Sequence, residues 1–319
     1  MNRDIIAIGA SAGGFEVLLG LASELPRELP ASVFVVLHRP PEDRARLPEL
    51  LSERGRMPAR HPLHEERITN GNIYIAPPDN QLLVRQGSVA VVRGPKENGH
   101  RPAVDALFRS AAASYGSRVI GVVLSGYQDC GTAGMMSIKA RGGVSVVQAP
   151  DSAVAAEMPS SVLQKVPVDH VVDPRELSQL LVRLVSEPAG SERPVDAVVA
   201  KLEGATPGER AEVVCPICQG VLTEAQPGVF EHFRCHVGHA FSVESLVREQ
   251  SESMERALWA AVRALEESAA LSRRLSVRDS SDLRRRFEEK AVTQSEHAEL
   301  LRQILLHGSM LSPSDATGL

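Results

Sequence analysis

The stretch that decides the fold is residues 4–14, whose sequence is Asp-Ile-Ile-Ala-Ile-Gly-Ala-Ser-Ala-Gly-Gly. Its apolar first half shows no polar alternation, which is typical of a strand covered on both faces of a parallel sheet. Small residues follow, and from Phe15 to Ala22 the apolar positions recur with helical spacing. The chain therefore opens with a strand, a tight glycine turn and a helix.

The same alternation continues through residues 1–186. It predicts an α/β fold with a doubly wound, mostly parallel sheet. Residues 70–92 carry shorter apolar runs between Gly and Pro turns, and we expect a hairpin there at one edge or end of the sheet. The predicted strands are residues 4–8, 33–37, 73–76, 119–124 and 144–147, and the predicted helices are residues 15–22, 44–51, 104–115 and 132–141.

Length and composition limit the classes of function. The chain has 319 residues, 43% of them hydrophobic, and a formal net charge of −5. A negative balance argues against a protein that holds nucleic acid by neutralising its phosphates. No apolar run approaches the roughly eighteen residues that a membrane helix needs, and the N-terminus lacks the layout of a secretory signal. We expect a cytoplasmic protein without membrane insertion.

Ser11 is the candidate nucleophile. It lies in a Gly-x-Ser-x-Gly pattern, residues 9–13, between the first strand and the first helix. This is the context of a nucleophile elbow, in which the amide of Ala12 would face a developing oxyanion. The alternative is a phosphate-binding or purely structural glycine turn.

A serine nucleophile needs a base and an orienting acid. His38 closes the second predicted strand, and Asp129 follows the strand at residues 119–124. Because sites in open α/β sheets assemble at the carboxyl ends of the strands, these positions favour a Ser-His-Asp arrangement.

Seven motifs in the expected order, spanning about residues 4–184, resemble the catalytic domain of the chemotaxis protein-glutamate methylesterases, the CheB family. The resemblance implies a cytoplasmic esterase that hydrolyses γ-glutamyl methyl esters on methyl-accepting chemotaxis receptors, and that can deamidate glutamine there, without a cofactor for catalysis. It implies Ser11 as nucleophile, His38 as base, and the backbone amides near Ala12 and Tyr127 as oxyanion donors. The motifs lie at residues 8–14, 35–40, 74–79, 100–108, 124–126, 131–135 and 157–159.

This sequence departs from the family pattern in the loop after residue 124. An ungapped alignment places Cys130 at the position of the family's triad aspartate, with Asp129 one residue before it, and Tyr127 replaces the usual methionine. A thiol cannot match a carboxylate in fixing an imidazole, and a carboxamide in that role costs about 10⁴ in turnover in serine proteases. The alternative function is therefore a weakened or inactive methylesterase-like signalling or docking protein. A hydrolase for an unrelated ester is a third reading of the same fold.

A second departure concerns the domains. Family members often carry an N-terminal receiver domain, whereas the first catalytic strand here begins at Asp4. We expect a stand-alone catalytic domain.

Three of the four cysteines form a candidate metal site. Cys215 and Cys218 form one Cys-x-x-Cys pair, and Cys235 and His239 follow sixteen residues later. This spacing is typical of a closed, tetrahedral Cys3His structural zinc site. The rival fourth ligands are His236 and His232, and the rival interpretations are a redox Cys-x-x-Cys pair and a knuckle without metal. Phe230, Phe233, Val237 and Phe241 would supply a minimal core.

The remaining boundaries follow from composition. We expect a linker at 187–212 with a short helix near 198–202, a zinc-knuckle module at 213–242, a helical hairpin at 243–308 and a tail at 309–319. Similar tails occur in some stand-alone methylesterase-like proteins, with Ala-Leu-Trp at residues 257–259. Module and hairpin together indicate protein docking or self-association. The apolar positions of the first hairpin helix are Met254, Leu258, Ala261, Leu265 and Ala269, and the predicted break between the helices is residues 279–282.

Overall fold

A computed structural model describes residues 1–42, 46–191, 209–225, 231–277 and 282–307. The chain divides into two compact units, Met1–Ser245 and Leu246–Leu319. Several predictions lie outside the described residues. These are most of the linker with its short helix at 198–202, Phe230, residues 279–281 of the predicted break, and the tail at 309–319.

The first unit is built on a seven-stranded sheet in the order β3-β4-β2-β1-β7-β8-β9. Every pairing between neighbours in this sheet is parallel. This confirms the predicted α/β fold. The strands up to this point of the chain are β1 (Ile5–Ala10), β2 (Ser32–Leu37), β3 (Ala59–Arg60), β4 (Ile73–Ile75), β5 (Gln81–Arg85), β6 (Ser88–Val92), β7 (Val119–Val123), β8 (Val144–Gln148) and β9 (His170–Val172).

The central strands are apolar throughout because helices cover both faces of the sheet. Alternate residues of β1 enter different layers of the core, with Ile6 and Ile8 on one face and Ile5 and Ala7 on the other. Each layer removes apolar surface from water, which is the main favourable term in folding. The helices are α1 (Gly14–Glu24), α2 (Leu47–Arg54), α3 (Val104–Tyr115), α4 (Thr132–Ala140), α5 (Glu157–Lys165) and α6 (Pro174–Ser186).

The stretch at 70–92 differs in part from its prediction. β4 joins the main sheet beside β2, whereas β5 and β6 form a separate two-stranded antiparallel hairpin. This hairpin packs beside α3, where Ser114 donates a hydrogen bond to the carbonyl of Val84 (2.9 Å).

The strand order places a crevice at β1. β2 lies on one side of β1 and β7 on the other, so the connections leave β1 in opposite directions. Such a reversal opens a crevice beyond the carboxyl ends of the strands, where open α/β sheets bind their ligands.

A second, antiparallel sheet belongs to the same unit. It comprises β10 (Glu209–Val214), β11 (Val221–Ala225), β12 (His232–Cys235) and β13 (Ala240–Ser242), in that order. We call residues 209–242 the Cys/His module. It begins four residues before the predicted boundary at 213 because β10 starts at Glu209.

The second unit holds a helical hairpin, as predicted. The helices are α7 (Val243–Ser276), which starts in the first unit, and α8 (Asp282–His307). Gln294 donates to Ser268 (2.7 Å) and Arg273 donates to Ser295 (2.5 Å), which fits an antiparallel pair. The predicted apolar face needs one correction, since Met254 is 49% exposed and Val262 is buried.

No helix among the described residues is long and apolar enough to cross a membrane.

Candidate active site

Ser11 lies in the crevice, in the turn between β1 and α1. Its amide donates to the carbonyl of Ser125 (2.9 Å), and its carbonyl accepts from Gly14 at the start of α1 (3.0 Å). Gly13 completes the turn with a φ of +77°, and a Cβ there would collide with Val154 and approach Ser125 Oγ to 2.8 Å. The local structure is the predicted strand, sharp turn and helix.

The predicted oxyanion donors are the backbone amides of Ala12 and Tyr127. Within the described part of the chain, neither the Ala12 nor the Tyr127 amide donates a hydrogen bond to a protein acceptor. The loop after β7 is fixed beside the nucleophile because Ser125 Oγ donates to the carbonyl of Ala12 (2.6 Å). At Gly126 a Cβ would lie 2.7 Å from the Cβ of Ser11, so only a glycine permits this approach.

His38 follows β2 and shares a cleft with Ser11. Its amide donates to the carbonyl of Ala10 (3.0 Å), which ties the ends of β1 and β2 together. The His38 ring stacks on the ring of His100, with centroids 3.7 Å apart and planes inclined by 11°. His100 is a site residue to which the sequence analysis assigned no role.

A tight turn presents His100 to His38. Glu97 and His100 exchange backbone hydrogen bonds of 3.1 and 2.9 Å, and the two residues between them, Asn98 and Gly99, have φ values of +50° and +78°. Asn-Gly is the dipeptide that such a turn favours. We call residues 97–100 the His100 turn, and the Asn-Gly pair is the feature of the sequence from which it could have been predicted.

Positive side chains surround the cleft. Arg39, Lys96 and Arg101 line it together with Ser11 and the two histidines. Arg101 is held by Asp79, to which its Nε donates (2.8 Å), and this hydrogen bond lowers the pKa of Asp79. The cleft therefore suits a substrate in an acidic surrounding.

Asp129 is buried, and its carboxylate contacts Ser242 and Lys165. Ser242 Oγ donates to Oδ1 (2.9 Å), and Lys165 Nζ lies 3.9 Å from Oδ2. Burial and the negative charge of Glu244 raise the pKa of Asp129 to about 6. Its role as the orienting acid stays a prediction.

Cys130 is fully buried and points to the first turn of α3. The amides of Asp105 and Val104 donate to its sulfur, while burial raises the pKa of the thiol well above its ordinary value. Cys130 is therefore a neutral thiol at physiological pH. Asp105 accepts from the Gly134 amide (2.6 Å) and from Asn98 Nδ2 (2.9 Å).

The four predicted metal ligands come together in the Cys/His module. Their ligand atoms all lie within 4.8 Å of one another, and this group could hold a metal ion. Cys218 and Cys235 have sulfurs 3.6 Å apart, and His239 Nδ1 lies 3.7 Å from Cys215 Sγ and 3.6 Å from Cys235 Sγ. In a tetrahedral zinc site two sulfurs lie about 3.8 Å apart, and a sulfur and a nitrogen about 3.6 Å apart. The residues present thus fit a tetrahedral metal.

The two rival histidines stand outside this group. His236 is exposed, and its ring packs on Gly220, where a Cβ would lie 2.5 Å from the ring. His232 is buried, and burial together with the charges of Arg234 and Arg109 lowers its pKa to about 3.

Known proteins match the first part of the chain. A protein-glutamate methylesterase/protein-glutamine glutaminase 2 of Methanosarcina acetivorans is 36% identical over 191 residues, which cover 57% of this chain and 54% of that relative. A putative protein of the same description from Leptospira interrogans is 31% identical over 185 residues, 58% of this chain and 96% of the relative. The chain spans about half the length of several of the curated relatives it matches.

A solved structure gives the same result. The crystal structure of the Thermotoga maritima CheB methylesterase catalytic domain superposes with a TM-score of 0.55 at 31% identity, covering 58% of this chain and all of that one. A family model described as CheB methylesterase matches residues 6–181, more than half of the sequence. A serine turn, a strand-end histidine and this family match point the same way, and the chain belongs to the CheB methylesterase family.

Proposed function

We propose that the protein hydrolyses γ-methyl esters of glutamate on chemotaxis-type receptors, and that it can deamidate glutamine at the same positions. The observation that carries this proposal is that Ser11, in its turn before α1, shares one cleft with His38 at the adjoining strand end. The names of the relatives, which combine both activities, support the substrate class.

The chemistry follows from these groups. Ser11 Oγ attacks the ester carbonyl carbon while His38 takes its proton, and the amides of Ala12 and Tyr127 bind the oxyanion. Collapse breaks the bond to the methoxy group, which leaves as methanol with the proton from His38. His38 then removes a proton from water, which attacks the acyl-serine and releases the glutamate carboxylate.

The orienting group decides how fast this cycle runs. A neutral Cys130 thiol cannot stabilise an imidazolium as a carboxylate does, and Asp129 is the carboxylate in the same loop. A second candidate function, a receptor-binding protein with weak or no turnover, rests on this cysteine.

We predict the outcome of one parallel assay, the release of methanol from a methylated receptor fragment. Wild-type protein should turn over and Ser11→Ala should lose activity by about 10³-fold or more, because the nucleophile is gone. Cys130→Asp should raise turnover, since a carboxylate then occupies the family position. Activity that survives Ser11→Ala would contradict the serine mechanism. A silent wild type with an active Cys130→Asp variant would favour the binding role.

We further propose that Cys215, Cys218, Cys235 and His239 bind a structural zinc ion. Four protein ligands leave no open coordination position, so the ion supplies folding energy and the hydrolysis itself needs no cofactor. We expect the protein to act in the cytoplasm, on receptor signalling helices, with α7 and α8 available for protein docking or self-association.

A further inference from the structure

We propose that the metal-bound Cys/His module positions two segments of the active site. Through Asn98 it holds the His100 turn, and through Ser242 it holds the loop that follows β7. Loss of the metal would then lower the reactivity of Ser11. This inference rests on the serine mechanism proposed above.

The backbone of the module continues directly into the His100 turn. The Asn98 amide donates to the carbonyl of Ala240 (2.7 Å), and the Ala240 amide donates to the carbonyl of Lys96 (3.3 Å). Ala240 is the residue after the metal ligand His239. The position of the turn is therefore set one residue away from the metal.

The side chain of Asn98 fastens the same turn a second time. Its Oδ1 accepts from the Ser242 amide and from Ser245 Oγ, both at 2.9 Å, and its Nδ2 donates to Asp105 (2.9 Å). Asn98 is 3% exposed, so these bonds are not exchanged for bonds to water. One buried amide thus joins β13, the start of α7 and the first turn of α3.

Ser242 reaches the loop on the other side of the nucleophile. Its hydroxyl donates to Asp129 Oδ1 (2.9 Å), three residues after Gly126 in the loop that follows β7. Lys165 lies between Asp129 and Glu244, 3.2 Å from the latter. The end of β13 therefore contacts both segments that enclose Ser11.

A buried cluster of charged side chains also holds the His100 turn. Arg109 of α3 donates to Glu97 (2.5 Å), and Glu97 is 6% exposed. Burial alone would raise the pKa of Glu97, but the charges of Arg109 and of Arg234 on β12 lower it overall. Glu97 is thus an ion held in place by one arginine of α3 and one arginine of the antiparallel sheet.

The metal would stabilise the contacts that Asn98 and Ser242 make. The turns at 215–220 and 235–240 meet at the four ligands, and small sheets of this kind depend on their metal for folding energy. Without it, the segment 238–242 loses its anchor, and the His100 turn loses the partner of Asn98. A module that only docked other proteins would leave Ser11 unaffected.

The test uses the full chain and three measurements: bound zinc by mass spectrometry, the rate at which a fluorophosphonate modifies Ser11, and amide hydrogen exchange. Chelation of zinc should slow the modification by about 10-fold to 100-fold, since displacement by ~1 Å can cost about 10²-fold, and added zinc should restore the rate. Exchange should rise at residues 96–100 and 125–129 while β1, β2 and β7 stay protected. An unchanged rate in the zinc-free chain would overturn the proposal.

Two variants test the contacts with the metal in place. Asn98→Ala and Ser242→Ala should retain zinc, slow the modification of Ser11 and change the pH profile of its rate. The matched control is Thr223→Val, which removes a hydrogen bond inside the module, from Thr223 Oγ1 to the Arg234 carbonyl (3.0 Å). If the two variants keep zinc and match the control in the rate and pH profile of Ser11 modification, the module does not position the segments around Ser11.

The same experiment separates this inference from the proposed function. Zinc-loaded wild type that reacts with the fluorophosphonate but releases no methanol would reject the receptor ester as substrate and leave the positioning role standing. Zinc-loaded wild type in which Ser11 does not react at all would reject the serine mechanism, and with it the reactivity on which this inference rests.

Discussion

Asp129 is a buried acid whose ionisation affects the stability of the protein. Its carboxyl is 4% exposed and lies near Glu244 and Asp105, so its pKa rises from 3.8 to about 6. Between these two pH values the folded state holds a proton that the unfolded state has lost. The free energy of unfolding therefore falls as the pH rises through this range, and the loss is complete above about pH 6.

We predict that Asp129→Asn stabilises the protein at pH 8 and about half as much at pH 5. The amide keeps an acceptor for Ser242 and has no charge to bury, so the gain above pH 6 approaches about 3 kcal/mol, from about 1.4 kcal/mol per pKa unit. Unfolding in guanidinium at pH 5, 6, 7 and 8 measures the difference in free energy of unfolding between the variant and the wild type.

Asp151→Asn, on an exposed aspartate, is the matched control and should show no such trend. Equal pH dependence of the two variants would contradict the prediction. The Asp129 variant also tests the orienting role, because a true triad acid loses about 10⁴ in turnover when it becomes an amide.

That Ser11 and His38 lie at neighbouring strand ends could be predicted from the sequence, whereas the residues that surround them could not. Each lies next to a continuous apolar strand, and strand ends are visible in a sequence. His100 meets His38 from a turn in which Asn98 binds Ala240, a contact between distant parts of the chain that no local pattern shows.

The turn between β1 and α1 depends on Gly13. Its left-handed φ and the closeness of Val154 and Ser125 leave no room for a side chain. Ser125 in turn donates to the carbonyl of Ala12, so strain at Gly13 affects the segment that carries the proposed oxyanion donor Ala12.

We predict that Gly13→Ala lowers stability by about 1–2 kcal/mol or more and reduces the rate of Ser11 modification. Gly20→Ala is the matched control, because Gly20 is exposed on α1 and a Cβ there meets nothing within 4 Å. That change should stabilise the helix by about 0.5–1 kcal/mol. Thermal unfolding and the modification rate check both; a Gly13→Ala chain as stable and reactive as wild type would show that the turn tolerates a side chain.

At the scale of elements, the sequence predicted β1, β2, β4, β7, β8 and the first four helices, and it missed the short strands β3 and β9 and the helices α5 and α6. α3 was predicted with its observed ends, Val104 and Tyr115. β3 has two residues and β9 three, too few for a periodic pattern. The strands of the Cys/His module were not predicted because their order follows from the metal ligands and from pairings across turns.

At the scale of the whole molecule, the Cys/His module belongs to the same compact unit as the parallel sheet. The sequence had suggested a separate segment, since a linker precedes it. Composition marks where a chain lacks apolar residues, and it does not show onto which surface the next segment folds.

We predict that zinc removal destabilises the first unit and leaves the helical hairpin unchanged. Calorimetry should show that the midpoint temperature of unfolding of the first unit falls by roughly 5–10 °C. This takes about 2–4 °C per kcal/mol for a domain of this size. Hydrogen exchange of residues 258–276 and 282–298 should not change.

Cys218→Ser should have the lower midpoint temperature even before the chelator is added, and the chelator should not lower it further. Cys130→Ser, on a cysteine outside the metal group, should keep both zinc and the response. A first unit whose transition ignores the chelator would refute the stabilising role of the metal.

The hydrogen bond between Asn98 and Ala240 has a consequence for how the protein folds during its synthesis. The last strand of the parallel sheet ends at Val172, so the catalytic core can form on the ribosome while the module is still being made. At about 5–20 residues per second, the next seventy or so residues take roughly 4–15 s to emerge. On the positioning role proposed above for the module, the nascent protein passes through a stage in which its sheet is folded while the His100 turn is not yet fixed, and binding of the proposed zinc ion would end that latency.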